Sequence, residues 1–260
     1  MSYIEYNKCM KNIKIIICTT KDFKFPKDDI YVPLLLNANN INLDFKYKDN
    51  TGKNISSKNA NYCELTGYYW AINNLDFDYL GLDHYRRLFT KTRFHFKNIN
   101  KAISGKDLDK ILDKYDAILP KKRHYYIETN YSHYIHSHIK EPLDKTKEII
   151  AKIYPDYLPY FEKVMNKRSA HMFNTFIFKK DIAVQYYEFL FNILFELETQ
   201  IDMTNYNNVE KRVYGYVSEL LLDVFITKNN IKYKELPYIF VGSQNWFKKI
   251  FNFLKRKFKH

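Results

Sequence analysis

Glycine and proline are scarce in this 260-residue chain, at 6 and 7, and cysteine occurs three times. So little glycine and proline excludes a collagen-like repeat and long low-complexity linkers. Three cysteines build neither a disulfide framework nor, unaided, a four-thiolate zinc site. No run approaches the length of apolar sequence needed to span a bilayer alone. Met1 to Met10 is polar, and the apolar stretch Ile13 to Cys18 is too short for an export signal, so the expected compartment is the cytoplasm. The chain also lacks G-x-G-x-x-G and the phosphate-loop lysine motif, which removes most support for a dinucleotide oxidoreductase or a nucleoside triphosphatase. No H-E-x-x-H is present.

Aromatic and basic residues are abundant instead. Hydrophobic residues make up 46% and aromatics 18%, with 24 Tyr and 20 Phe, enough for a packed core. Lys and Arg total 42 against 29 Asp and Glu, a net charge of +13. That excess points to an anionic partner: nucleic acid, an anionic membrane surface or a phosphate-bearing substrate. A genomic bias toward Lys, Asn, Ile and Tyr codons accounts for it equally well.

The pattern reads as one α/β domain with helical excursions, without internal repeats or linkers. Lys14 to Cys18 is a β-branched run ended by Thr19, Thr20, Lys21 and Asp22, which predicts a buried first strand and a polar loop. Asp44 to Asn61 reads as a mobile surface loop. A helix is expected over Tyr62 to Asn73, and a second buried strand over Phe77 to Leu82. Further strands are expected at Ala117 to Leu119, Phe173 to Phe178 and within Tyr233 to Val241. Further helices are expected at Leu108 to Tyr115, Asp144 to Lys152, Tyr157 to Met165, Ile182 to Leu197 and Val213 to Phe225.

The second strand runs into Asp83-His84-Tyr85-Arg86-Arg87. Ligand sites in α/β sheets lie at carboxyl ends of strands. Arginine offers a planar fork of donors for phosphate oxygens, and histidine orients hydroxyls or titrates near neutrality. Structural ion pairing is the plainer reading of the same cluster. Thr19 and Lys21 form a second lip, and Lys121, Lys122 and Arg123 leave a later strand together. His133, His136 and His138 lack convincing metal spacing, and Cys63 reads as core. Glu64, Glu219 and His171 lie near element boundaries, where a carboxylate can serve as general base toward a sugar hydroxyl or simply hold the fold. Residues 244–260 read as a basic amphipathic tail, with Trp246, Ile250, Phe253, Leu254 and Phe258 sharing a face. Attachment to an anionic membrane surface and docking on the protein's own core are its two main readings.

The run Tyr62-Cys63-Glu64-Leu65-Thr66, then Tyr69-Trp70, then Gly81-Leu82-Asp83-His84-Tyr85-Arg86-Arg87, resembles a bacterial polysaccharide-biosynthesis family catalogued as DUF4422. Leu119-Pro120-Lys121-Lys122-Arg123, Tyr134 with His138, Asn174 with Phe176 to Phe178, and Gly215 to Leu221 preceded by Arg212 continue the resemblance in order. It covers roughly residues 12 to 240, and it departs at Thr20, where relatives often carry His, and at Asp83, where an uncharged residue such as Cys is commoner.

The resemblance implies a single-domain GT-A-like nucleotide-sugar-binding α/β fold over residues 1–243, with helical insertions. It implies an inverting glycosyltransferase of capsule or lipopolysaccharide assembly, similar to galactofuranosyltransferases that use UDP-galactofuranose. The partners would be a nucleotide sugar, a glycan or lipid-linked glycan acceptor, and an anionic membrane surface through the tail, with no nucleic acid. No cofactor is expected beyond the UDP-sugar donor, and metal dependence stays open. Leaving-group charge would fall to Lys21, Arg86, Arg87 and Lys121, Lys122 and Arg123. The base would be Glu219 first, Asp83 second and Glu64 third. Thr19, Asn61, His84, His138, His171, Asn174 and Arg212 complete the expected substrate contacts. Another UDP-sugar donor, or a non-catalytic polyanion- or glycan-binding role in the same machinery, is the alternative. Localisation would be cytoplasmic, or peripheral on the inner face of the cytoplasmic membrane.

Overall fold

A computed structural model describes residues 10–92 and 98–241. β1 (Ile13–Thr19), β2 (Tyr31–Leu35) and β3 (Tyr47–Lys48) come first. The short α1 (Asn59–Tyr62) and α2 (Leu65–Asn74) lead to β4 (Tyr79–His84), β5 (Arg87–Phe89), α3 (Gly105–Leu112), β6 (Ala117–Pro120) and β7 (Arg123–His124). α4 (Asn130–Ser137), α5 (Glu141–Ile153) and α6 (Leu158–Met165) then precede β8 (Ser169–Ala170) and β9 (Phe176–Lys179). The chain continues through α7 (Lys180–Gln200), α8 (Val213–Lys228), β10 (Tyr233–Leu236) and β11 (Tyr238–Phe240).

The main sheet runs β10-β6-β9-β4-β1-β2-β3, with β5 and β11 attached beside β4. β1 pairs in parallel with both β2 and β4, while β9 lies antiparallel between β4 and β6. The α/β class expected from the sequence is therefore present, as a mixed sheet. β1 is Ile-rich and buried except at half-buried Lys14, because both faces are packed, as parallel strands require. Ile16 and Cys18 face a core shared with α2, α7 and α8, while Ile13, Ile15 and Ile17 face a second core with α3 and β5. Gly81 on β4 lets this layer close, since a Cβ there would come within 3.0 Å of both Ile15 and Ile177. Among the described residues no helix is long and apolar enough to cross a membrane.

Two expectations are corrected. The helix expected over Tyr62 to Asn73 is broken at Cys63, which takes φ 53° and ψ −129° and turns the chain between α1 and α2. The polar stretch Asp44 to Asn61 is anchored, because fully buried Asp49 accepts hydrogen bonds from the Asn37 and Ala38 amides and the Ser56 and Thr66 hydroxyls. The amphipathic tail reading lies outside the described residues.

Candidate active site

The strand order reverses at β1: β2 and β3 continue on one side and β4 lies on the other. In open α/β sheets such a switch point is where ligands bind, outside the carboxyl ends of the strands. β1 ends at Thr19 and β4 at His84, registered through Cys18 opposite His84. The Thr19–Lys21 lip and the His84–Arg87 cluster are thus brought to one place.

His84 reports the electrostatics there. Its Nδ1 accepts the Arg86 amide at 3.2 Å, so the neutral ring carries its proton on Nε2 and presents a donor. Burial first, then Arg87, Arg86 and Arg212, push its pKa down to about 3. Burial is the larger cause, and the three guanidinium groups add a positive field that acts in the same direction. Arg87 is half-buried, with its guanidinium 3.9 Å from the Phe173 ring centroid and 5.1 Å from that of Phe240. Among the described residues its buried Nε has no hydrogen-bond acceptor. Burial lowers its pKa, and Tyr238, Glu219 and Glu64 act in the opposite direction.

A pair of carboxylates faces these cations. Glu64 enters from the start of α2, aimed by the Cys63 turn. Its Oε1 accepts the Asn174 side-chain amide at 2.8 Å. Asn174 also donates to the Gly215 carbonyl at 3.0 Å and accepts the Ser218 hydroxyl at 2.9 Å, which fixes α8 against the strand end. Arg212 caps the start of α8, and Tyr216 and Glu219 follow it on the helix at helical spacing, on one face. Arg212 Nε donates to Cys63 Sγ at 3.1 Å and its guanidinium lies over Tyr216, which stacks on His138 at 3.9 Å. Half-buried Glu219 accepts the Phe173 amide. Burial, then the Glu64 charge, raise its pKa to about 8 against the pull of Arg87 and Arg123. Cys63, Phe173 and Asn174 all have positive φ, at 53°, 80° and 49°. Strain of this kind persists where surrounding structure enforces it, and it gathers at functional sites.

Several expected residues are not drawn into this arrangement. Asp83 is 1% exposed and faces the α3–β5 side of the sheet with Tyr31, away from Glu64 and Glu219. Its Oδ1 has no partner among the described residues, its Oδ2 accepts the Phe89 amide at 3.4 Å, and burial pushes its pKa well up. His171 is fully buried, with Nδ1 2.5 Å from Asp223 and Nε2 3.1 Å from Glu235, so both ring nitrogens are occupied. Thr19 spends its hydroxyl on the Lys21 backbone and shapes the lip. Asn61 donates to the Lys211 carbonyl at 2.9 Å and ties α1 to the approach of α8. Lys121 and Lys122 lean toward β10, Lys122 reaching the Tyr233 hydroxyl at 3.5 Å, whereas Arg123 acts on Glu219. Arg86 and Arg123, which do belong to the arrangement, are exposed, as is Lys21 on the first lip.

Sequence reading missed the aromatic wall beside the first lip. Phe23 packs edge-on to Phe25 and Tyr85, and Phe25 to Phe45, all four rings half-buried at the ends of β1 and β4. The signal was the aromatic spacing within Asp22 to Phe25, but residues so far apart in sequence become one wall only after folding. A cavity of about 340 Å³ lies elsewhere, lined by residues including Tyr131, Leu143, Phe161 and Met165, and includes none of the strand-end residues. Among the described residues no group of three or more His, Cys, Asp or Glu is placed to hold a metal ion.

A family model described as a domain of unknown function, DUF4422, matches residues 14–230. No curated protein matches the chain. Among solved structures, the apo structure of the bifunctional glycosyltransferase WbbM is similar over 89% of this chain, with 31% identity and a TM-score of 0.81. The match covers 46% of the WbbM chain, so this protein spans less than half of that relative's length.

Proposed function

This chain belongs to the DUF4422 family, and we propose that it is a glycosyltransferase that moves a sugar from a nucleoside-diphosphate donor to a hydroxyl of a cell-surface glycan acceptor. The observation that carries this reading is the placement of His84 opposite Arg87 at the end of β4, with Arg87 on the Phe173 ring beside Asn174, which ties Glu64 to the α8 turn that bears Glu219. The strand order and the likeness to WbbM support a GT-A-like arrangement.

Transfer from a sugar diphosphate needs charge stabilisation on the leaving phosphates, and preorganised cations supply it without reorganisation. Arg87, clamped between aromatic faces, and Arg86 would hold the diphosphate, with Arg212 and Arg123 at the rim. The His84 Nε2–H donates to a phosphate or sugar oxygen. The Phe23, Phe25, Phe45 and Tyr85 wall offers apolar faces for a base. Glu219 takes the acceptor hydroxyl proton, since a carboxyl lifted toward operating pH is a stronger base than an ordinary one. The oxygen then attacks the anomeric carbon from the face opposite the leaving UDP, which inverts its configuration. Glu64, sharing Asn174 with α8, sets the Glu219 proton affinity and stands beside it as the second candidate. Asp83 has no role in this step because it faces the other side of the sheet. UDP-galactofuranose is the donor we favour.

The deciding experiment is a transfer and hydrolysis screen of UDP-, GDP-, TDP- and CMP-sugars, with and without chelator. We expect UDP-galactofuranose-dependent turnover that survives chelation. Turnover with another UDP-sugar would replace the donor, and turnover abolished by chelator would replace the cationic clamp. Glycan binding without turnover of any donor would overturn the enzyme reading.

A further inference from the structure

We propose that the ribbon built from residues 122–128 and 163–170 is a docking surface for an anionic lipid bilayer. It adjoins the strand-end site and does not depend on the glycosyl-transfer reading. The tip carries Tyr126 at 80% and Ile127 at 58% exposure, two adjoining large apolar side chains turned to solvent. Their presentation is enforced by the backbone. Tyr126 has φ 61°, its carbonyl accepts Arg168 Nη1 at 3.1 Å, and the Ile127 amide donates to the Tyr125 carbonyl at 2.7 Å. The Tyr125 amide donates to the Arg168 carbonyl at 2.9 Å, extending the antiparallel β7–β8 pair. A bulky side chain at positive φ, tied on both sides and directed outward, is a built feature.

Cations surround the tip. Lys122, Arg123, His124, Lys163, Lys167 and Arg168 lie on the ribbon and the adjacent end of α6. Among the described residues none of these six forms an ion pair. The nearby acids are engaged: Glu128 accepts from His133 and His136, each at 2.8 Å, and Glu162 pairs with Lys147 at 2.8 Å. The Lys167 pKa is lowered first by partial burial and then by Lys122 and Lys163, against the opposing pull of Asp223, which is itself paired with His171.

An apolar tip ringed by cations has the complement of a bilayer interface. Aromatic and aliphatic side chains enter the headgroup boundary while ammonium and guanidinium groups meet anionic headgroups. A nucleic acid would use the cations but would leave Ile127 uncovered. The ribbon starts where β6 ends, and Arg123 belongs to both the ribbon and the site. Docking here therefore brings the Glu64–Glu219 pair to the membrane surface.

The test uses the full chain and hydrogen exchange in the presence of phosphatidylcholine vesicles with and without phosphatidylglycerol. We expect amides of residues 123–128 and 166–169 to gain protection on the anionic vesicles alone. The double variants Tyr126→Ser/Ile127→Ser and Lys163→Gln/Lys167→Gln should each lower vesicle partitioning on the order of ten-fold, with the unfolding temperature unchanged. Protection confined to residues 244–260, undiminished partitioning of both variants, or equal ribbon protection by RNA would each overturn the assignment. Turnover of a UDP-sugar with a water-soluble acceptor reports the transferase reading separately.

Discussion

Replacing Glu219 by glutamine should make the protein more stable and less active at once. The folded state holds the Glu219 proton up to about pH 8, whereas an unfolded glutamic acid releases it near 4.5. Between those values the folded state binds more protons than the unfolded one, so stability falls as pH rises through the window. The full lift corresponds to roughly 5 kcal/mol, and at pH 7.5 the effective cost after relaxation is about 2–4 kcal/mol. An uncharged amide avoids that cost and still accepts the Phe173 amide. Urea titrations at pH 5 and pH 8 check this: the variant's advantage should be small at pH 5 and grow toward pH 8. Turnover should fall about 10²- to 10⁴-fold, with loss of the rising limb near pH 8 in kcat/KM. A variant that is less stable at pH 8, or that keeps the limb, would refute the reasoning and return Glu219 to a structural role.

Removing the neighbouring charge tests the coupling from the other side. Glu64→Gln should move the rising limb of kcat/KM to lower pH by about one unit, as expected for a lost like charge; an unmoved limb would mean the two carboxylates act independently. A bound diphosphate should raise the His84 pKa from about 3, readable by nitrogen-15 NMR of the ring, and an unresponsive His84 would place the phosphates elsewhere. Asp83→Asn should leave turnover unchanged and flatten the loss of stability at high pH, because it removes a buried carboxyl whose Oδ1 has no partner among the described residues; loss of turnover with folding intact would put Asp83 back in the mechanism.

Much of the sheet was legible because its central strands advertise themselves locally. Lys14 to Cys18 and Phe77 to Leu82 are continuous apolar runs, and the polar cluster after the second one marks its carboxyl end. The Asp83 side chain was misplaced because run-on sequence hides the two-residue alternation: Leu82 and His84 face α2 and α8, while Asp83 faces α3 and β5. His171 looked available because nothing nearby in sequence announces Asp223 and Glu235, 52 and 64 residues away. The break at Cys63 was invisible for a related reason. Its positive-φ backbone sets the Cys63 thiol against Arg212, 149 residues later at the N-cap of α8, and no glycine signals it. Local pattern thus located the strand ends, whereas long-range contacts decided which polar side chains stayed at them.

The donor should act on Glu219 as well as on the arginines, and in a direction that kinetics can resolve. Apo, the Glu219 carboxylate is favoured by Arg87 and Arg123 and opposed by burial and by Glu64. A diphosphate brought to the same arginines neutralises the favourable charge and adds its own negative charge to the unfavourable side. Both effects raise the pH at which Glu219 loses its proton. The limb in kcat/KM for the donor reports the enzyme before donor binds and the limb in kcat the donor complex. The kcat limb should therefore lie above the kcat/KM limb near pH 8, when acceptor is saturating and donor is varied. Coincident limbs would mean that the donor's charge does not reach Glu219. A kcat limb at lower pH would mean that substrate binding brings a cation to the pair, as a divalent metal carried by the diphosphate would do.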